Sequence, residues 1–187
     1  MDGVLAPSLR RPGLLTLPWE GWSGSALYDP KVVEELLRLV EAYGVSVEWL
    51  SSWQEEANPC WSRLGLGPYP YHVDRGAGDR WWKSLVVENE LRRGSRPVFW
   101  VDDELEKHLS GRWGTVAWDP QAYQDRLWWH APRAEIGLTL ADLLLLEAAL
   151  TGARRPSVGR ISLATQGSGE EAGRLNSGLT GIEDPCS

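Results

Sequence analysis

Apolar residues recur at helical spacing in four segments of the chain, and most of these segments are bounded by capping residues. The clearest begins at Asp29-Pro30, where Asp can cap the first turn and Pro suits the first helical position, and it ends at Gly44. The last segment is capped by Thr139 and is followed by Gly152. The spacing predicts helices over 30–43, over 79–91 with Asp79 as its cap, over 104–109 and over 140–150.

Other segments carry apolar residues that favour extended structure. The strongest is 97–101, where Val-Phe-Trp-Val runs without a polar break, as in strands that are buried on both faces inside parallel sheets. Residues 6–28 have no clear period and are predicted as an irregular loop or flap, and residues 121–137 fit neither pattern. The predicted strands are 45–50, 97–101 and, as a short candidate, 114–118. Strands that alternate with helices predict a doubly wound α/β fold.

Length and composition are those of one globular domain followed by a tail. The chain has 187 residues, of which 42% are apolar and 24% are charged, and this suits a single domain with a sizeable core. From Ala153 onward glycine and serine are frequent, aromatic residues are absent, and the few apolar residues have no sustained period. We therefore expect an α/β domain over residues 1–152 and a disordered tail over residues 153–187.

Charge and cysteine content limit the kinds of binding partner and the cellular compartment that we expect for this chain. The net charge of −7 makes a nucleic-acid-binding surface a poor expectation, although a local basic patch is compatible with it. The cysteines are too few for a disulfide scaffold, and neither they nor the histidines show metal-ligand spacing: Cys60, Cys186, His72, His108 and His130. The chain shows no membrane-spanning apolar run and no signal peptide. We expect a cytoplasmic protein without a membrane partner.

Two adjacent carboxylates, Asp102 and Asp103, follow the predicted strand 97–101. The carboxyl end of a strand in an open α/β sheet is where ligands bind. Two neighbouring aspartates repel each other unless a cation or a proton relieves them, so the pair indicates a divalent-metal site with hard oxygen ligands. Alternatively, one aspartate only caps the helix that begins near Glu104.

Ser51 and Lys83 are further polar residues at the ends of predicted elements. Ser51 follows the strand 45–50, and its hydroxyl can either cap the next helix or contact a phosphate at the helix N-terminus. Lys83 lies near the start of a predicted helix, although cations favour helix C-termini. It is therefore either an ordinary solvated lysine or a cation that faces an incoming anion at the top of the sheet.

Four segments, in this order, resemble the motifs of the haloacid dehalogenase-like (HAD) hydrolases. They are Asp-Gly-Val-Leu at 2–5, Trp-Leu-Ser-Ser-Trp at 49–53, Trp-Trp-Lys at 81–83 and Val-Phe-Trp-Val-Asp-Asp-Glu-Leu at 98–105. The chain is most similar to small bacterial HAD-domain proteins with a Trp-Leu-Thr-Thr-Trp-like second motif, and the likeness covers about residues 1–150. It implies a HAD-like Rossmannoid parallel sheet with helices on both faces and a minimal cap.

The resemblance implies a role for each matched residue. Asp2 matches the second aspartate of motif I, which is a general acid and base and which we also expect to be a metal ligand. Ser51 matches the hydroxyl that holds the transferred phosphoryl group, and Lys83 matches the lysine that screens charge between nucleophile and phosphate. Asp102 matches a Mg²⁺ ligand, with Asp103 beside it as support or as a second ligand. The implied function is a Mg²⁺-dependent phosphomonoesterase that forms an aspartyl-phosphate on a phosphorylated substrate.

The nucleophilic aspartate of motif I would lie two positions before Asp2, upstream of Met1. We therefore expect the first strand of the sheet to be largely missing from this chain, and the nucleophile to be present only in a chain that begins earlier. The alternative is a catalytically inactive HAD-like module that binds metal, phosphate or a protein. A further alternative is a generic α/β fold in which the acidic pair and Ser51 are only helix caps.

Overall fold

The computed structural model describes residues 3–18, 24–76, 78, 80–111, 113, 116 and 118–152. Over these residues the protein is a mixed α/β structure with one antiparallel and one parallel pair of short strands. The strands and α-helices are β1 (Leu15–Pro18), β2 (Ser25–Tyr28), α1 (Pro30–Tyr43), α2 (Ala57–Trp61), α3 (Trp82–Arg93), β3 (Val98–Val101), α4 (Leu105–Leu109), β4 (Leu127–His130) and α5 (Leu140–Leu150). Short turns of 3-10 helix cover Gln54–Glu56, Ser62–Leu64 and Pro120–Tyr123.

The helices α1 and α5 confirm the predictions made from capping residues. The Asp29 side chain accepts a hydrogen bond from the backbone N–H of Lys31, and Gly44 ends α1 in the left-handed conformation. At the start of α5, Thr139 and Asp142 form a reciprocal capping box. Both ends are local features, which is why the sequence pattern finds them.

β1 and β2 form an antiparallel hairpin within the residues predicted as an irregular loop. The pairing begins with Leu15 opposite Tyr28, and Leu17 and Ala26 are buried. The prediction for 6–28 is therefore wrong over these strands. Leu15–Pro18 alternates over only three residues before its proline, and Ser25–Tyr28 does not alternate, so neither segment shows a clear strand pattern.

The buried side chains form two cores. The larger core contains Leu5, Ala6, Leu17, Ala26, Val32, Val33, Leu39, Trp49, Ala57, Cys60, Trp61, Leu66, Leu138 and Leu143. The smaller core contains Trp81, Val87, Leu91, Trp100, Leu105, Trp118 and Leu127.

β3 contributes to both cores because successive residues of a strand point to opposite faces. Trp100, which is 4% exposed, lies in the smaller core, and the next residue, Val101, packs against the larger one. Trp129 of β4 is paired with Trp100 and also packs against the smaller core. The structure thus confirms a strand within the predicted range 97–101, but its burial is only partial, because Trp100 is buried whereas Val98, Phe99 and Val101 are half-buried.

The strand predicted over 45–50 is wrong. In the structure this segment makes only an isolated bridge, in which Trp49 pairs with Tyr71. The Trp49 N–H donates to Pro70 O at 2.7 Å, and the His72 N–H donates to Trp49 O at 3.1 Å. On the other side of the segment no strand lies beside it within the described residues, so a regular ladder does not form.

Residues 121–137, which fitted neither pattern, contain the strand β4. Other predictions concern residues partly or wholly outside the described chain. The candidate strand 114–118 lies partly outside the described residues, and the predicted tail 153–187 lies wholly outside them. Asp79, the predicted cap of α3, is also outside them, and α3 begins at Trp82 without a side-chain cap. Among the helices that the structure describes, none combines the length and the apolar character needed to cross a membrane.

Candidate functional site

A buried ion pair joins the first turn of α3 to the carboxyl end of β3. The Lys83 Nζ lies 2.7 Å from Asp102 Oδ2, and the two side chains are only 7% and 3% exposed. Glu104 is a second and more distant acceptor, with its Oε2 3.5 Å from the same Nζ. The interpretation of Lys83 as an ordinary solvated lysine is therefore wrong, and the structure brings two of the predicted site residues into contact.

Lys83 is buried because of its place on α3. Residues four apart lie on one face of a helix, and Lys83, Val87 and Leu91 form such a row. All three are buried, and the two apolar members pack in the smaller core with Trp100. The lysine thus occupies the first position of an otherwise apolar row, where the Asp102 carboxylate supplies the partner that a buried ammonium needs.

Asp102 also accepts a hydrogen bond from the backbone of the turn that follows it. Its Oδ1 accepts a hydrogen bond of 2.9 Å from the Glu104 N–H, just before α4. The two oxygens of this carboxylate therefore have different partners, one in the backbone of the following turn and one in α3. Because α4 begins at Leu105 without a side-chain cap, the alternative that an aspartate only caps this helix is wrong.

Asp103 faces the first described residue of the chain. Gly3 has a φ of +82°, and a Cβ at this position would lie far inside van der Waals contact of the Asp103 carboxyl group. Burial raises the pKa of Asp103, and the negative charge of Asp102 raises it further. Asp2, the remaining predicted catalytic residue and metal ligand, lies outside the described residues.

Ser51 is almost completely buried, with 1% of its surface exposed. Its Oγ accepts a hydrogen bond of 3.2 Å from the Trp53 N–H, two residues later. The 3-10 turn that follows, Gln54–Glu56, has no side-chain cap, so this contact is a local turn and not the predicted helix cap. The preceding residue, Leu50, packs against the smaller core, which also contains Trp81 and Trp100. Ser51 therefore directly follows a residue that packs in the smaller core, the core that also contains Val87 and Leu91 of α3.

His108 is a residue of this region that the sequence did not single out. Its ring stacks on Trp81 with centroids 3.8 Å apart and planes 7° from parallel. Burial lowers the pKa of His108, and the carboxylate of Glu104, one helical turn earlier, opposes this effect. The Nδ1 atom is buried and has no hydrogen-bond partner within the described residues. In the sequence, the spacing of four residues between Glu104 and His108 indicates that the two side chains share one face of a helix.

The carboxylates at the end of β3 have the chemistry of hard-cation ligands. Asp103 is the better placed of the two to bind a cation, because the oxygens of Asp102 already accept hydrogen bonds from Lys83 and from the backbone. Within the described part of the chain, no three His, Cys, Asp or Glu side chains are grouped so that they could hold a metal ion. The described side chains therefore offer two adjacent carboxylates, which do not by themselves form a metal site.

Comparisons of the chain with protein-family models, with curated proteins and with solved structures found no match.

Proposed function

We propose that this protein is a HAD-like hydrolase, a Mg²⁺-dependent phosphomonoesterase whose active form carries an aspartate two positions before Asp2. The observation that supports this proposal is the buried pair of Lys83 and Asp102 at the carboxyl end of a parallel strand. A buried ion pair is often no more stabilising than apolar residues of similar size, so its presence favours a role beyond stability. The HAD-like Rossmannoid fold is part of the same proposal.

Each residue has a defined task in the proposed reaction. The upstream aspartate attacks the phosphorus and the substrate alkoxide leaves with a proton from Asp2. Asp2 then removes a proton from the water that attacks the aspartyl-phosphate, which releases inorganic phosphate. Lys83, held by Asp102, supplies positive charge beside the phosphoryl oxygens, and Ser51 donates a hydrogen bond to one of them. Mg²⁺ bound by Asp103, Asp102 and Asp2 would neutralise further negative charge on these oxygens.

The test is phosphate release from p-nitrophenyl phosphate by a chain translated from the in-frame coding sequence upstream of Met1. We expect activity that requires Mg²⁺ and that falls by about 10²–10³ in kcat/KM for Lys83→Met, as when one electrostatic contact to a transition state is removed. Lys31→Met is the matched control, since Lys31 is exposed on α1 and away from the pair. The proposal fails if the extended chain releases no phosphate, or if Asp2→Asn leaves its rate unchanged.

The second candidate is a HAD-like module that binds metal or phosphate without turnover. The observation that favours it is that both oxygens of Asp102 already have protein partners, which is typical of a structural carboxylate rather than of a catalytic metal ligand. Calorimetric titration of the chain with Mg²⁺ and with inorganic phosphate distinguishes the two functions. Saturable binding by an extended chain that shows no turnover would support the module.

A further inference from the structure

An open groove lies along α1. It has a volume of about 450 Å³. Its lining includes Val33 and Leu37 of α1 and Leu64 from a neighbouring 3-10 turn, so much of its floor is apolar. Glu34 and Glu41, both of which are exposed, line the same groove. We call this feature, with these five residues, the α1 groove.

The acidic residues of the α1 groove lack ionic partners, whereas its arginine is already paired. Arg38, which also lines the groove, contacts Glu35 and Glu147, and in both contacts its Nη2 lies 2.7 Å from the carboxylate Oε1. Glu34 and Glu41 make no ion pair with any residue that the structure describes. The groove therefore combines an apolar floor with two uncompensated negative charges, and this combination suits an occupant with basic and apolar side chains.

The residues that follow α5 have this composition. Positions 154–163 carry three arginines and no acidic residue, together with the apolar residues Val158, Ile161 and Leu163. Positions 164–187 instead carry four acidic residues and one arginine. The two parts of the predicted tail therefore differ in charge, and only the first part is both basic and apolar.

The last described residues lie close to the α1 groove. Glu147 of α5 contacts Arg38, which lines the groove, and Gly152 follows Glu147 by only about 8 Å along a helical path. The groove extends along α1 from Pro30 to Glu41, which is about 17 Å. An extended segment 154–163 can span up to about 30 Å, so it can reach the whole groove.

We propose that residues 154–163 of this chain dock in the α1 groove. Their arginines pair with Glu34 and Glu41, and their apolar side chains cover Leu37 and Leu64. Because the segment belongs to the same chain, its effective concentration at the groove is about millimolar, so weak contacts are sufficient. This inference is independent of the proposed activity, and it leaves the prediction of disorder in place for positions 164–187.

α5 offers a second apolar surface, which suits this segment less well. Three of its leucines are exposed: Leu140, Leu144 and Leu145. The carboxylates of the same helix are already engaged, because Asp142 accepts hydrogen bonds from Thr139 and Glu147 accepts one from Arg38. The arginines of the segment would find no free carboxylate on α5, and their charge therefore favours the α1 groove.

The test is limited trypsin digestion of the whole chain, with the initial cleavage rates followed by mass spectrometry. Trypsin cleaves after Arg160, inside the proposed segment, and after Arg174, which lies outside it and is the internal reference. A synthetic peptide of residues 153–187 gives the ratio of the two rates in a free chain. We expect Arg160, relative to Arg174, to be cleaved at least tenfold more slowly in the protein than in the peptide.

Removal of the groove carboxylates tests where the segment docks. In Glu34→Gln/Glu41→Gln we expect the protection of Arg160 to fall at least threefold, because the arginines of the segment lose their partners. The matched control is Glu90→Gln/Glu106→Gln, which removes two exposed carboxylates from α3 and α4. It should leave the protection unchanged.

Four results would overturn the proposal. Equal relative rates in the protein and the peptide would mean that the segment does not dock, and equal losses of protection in the two double variants would mean a nonspecific effect of charge. Protection that survives Glu34→Gln/Glu41→Gln and is lost in Leu144→Gln would place the segment on α5. Protection that rises with protein concentration would mean that the segment docks on a second copy of the chain.

Discussion

Substitution of Lys83 by Met tests whether the ammonium group is buried and paired. Met has a similar length and suits the apolar row that Lys83 shares with Val87 and Leu91, so packing is largely preserved. What changes is the charge balance, because the Asp102 carboxylate loses the partner 2.7 Å away and keeps only the hydrogen bond from Glu104 N–H.

The structure sets the size of this effect. Removal of one member of a buried ion pair costs about 3–5 kcal/mol, because the other charge stays buried without its partner. The hydrogen bond that Asp102 retains places the expected cost of Lys83→Met near the lower limit, about 3 kcal/mol. In the double variant Lys83→Met/Asp102→Asn the remaining charge is gone and the amide oxygen still accepts from Glu104, so we expect a total cost of only about 1 kcal/mol.

Urea unfolding, followed by far-ultraviolet circular dichroism, measures the free energies of unfolding of a double-mutant cycle. Its four members are the wild type, the single variants Lys83→Met and Asp102→Asn, and the double variant. Lys31→Met, at an exposed position of α1, is the control and should change stability by less than about 0.5 kcal/mol. If Lys83→Met changes stability no more than Lys31→Met does, the lysine is solvated and the reasoning is refuted. A double variant that costs as much as the sum of the single ones would show that the two side chains do not interact.

Two further predictions concern the surroundings of the pair. Gly3→Ala should cost about 1–3 kcal/mol more than Gly13→Ala in urea unfolding, because both have a similar positive φ but only Gly3 would contact Asp103; equal costs would mean that the carboxyl group moves aside. Burial lowers the pKa of His108 below 6.5, so the unfolded chain binds this proton more readily and stability is lost as pH falls below that value. His108→Phe, which keeps a ring against Trp81, should weaken this pH dependence; an unchanged profile would contradict it.

The elements that the sequence predicts correctly depend on local interactions. The helix that Asp29 and Gly44 bound, and the helix that Thr139 caps, are specified by contacts within one or two turns. The hairpin of β1 and β2 and the strand β4 depend on partners distant in sequence, and their four-residue segments carry no decisive pattern. Strand pairing is therefore where a single sequence is least informative.

The same distinction applies to the candidate site. Asp102, Ser51 and Lys83 were identified because polar residues at element ends are visible in the sequence. Their partners were not visible: the contact of Lys83 with Asp102 spans 19 positions, and it exists because α3 packs against β3. The stacking of His108 on Trp81 likewise depends on the packing of α4, which no local pattern specifies.

The wrong prediction for 45–50 and the unpaired edge of β3 have one explanation. Trp49 and Leu50 pack in the larger and the smaller core as Val101 and Trp100 of β3 do, but within the described residues no strand lies beside either segment on its remaining side. Under the proposed function, the upstream extension carries that strand together with the nucleophile. The Phe99 and Val101 amides, which point away from β4, should then exchange with solvent about tenfold more slowly in the extended chain than in the chain that begins at Met1, as measured by NMR. Equal exchange would mean that the extension lies elsewhere, and that the nucleophile it is proposed to carry does not reach Lys83 and Asp102.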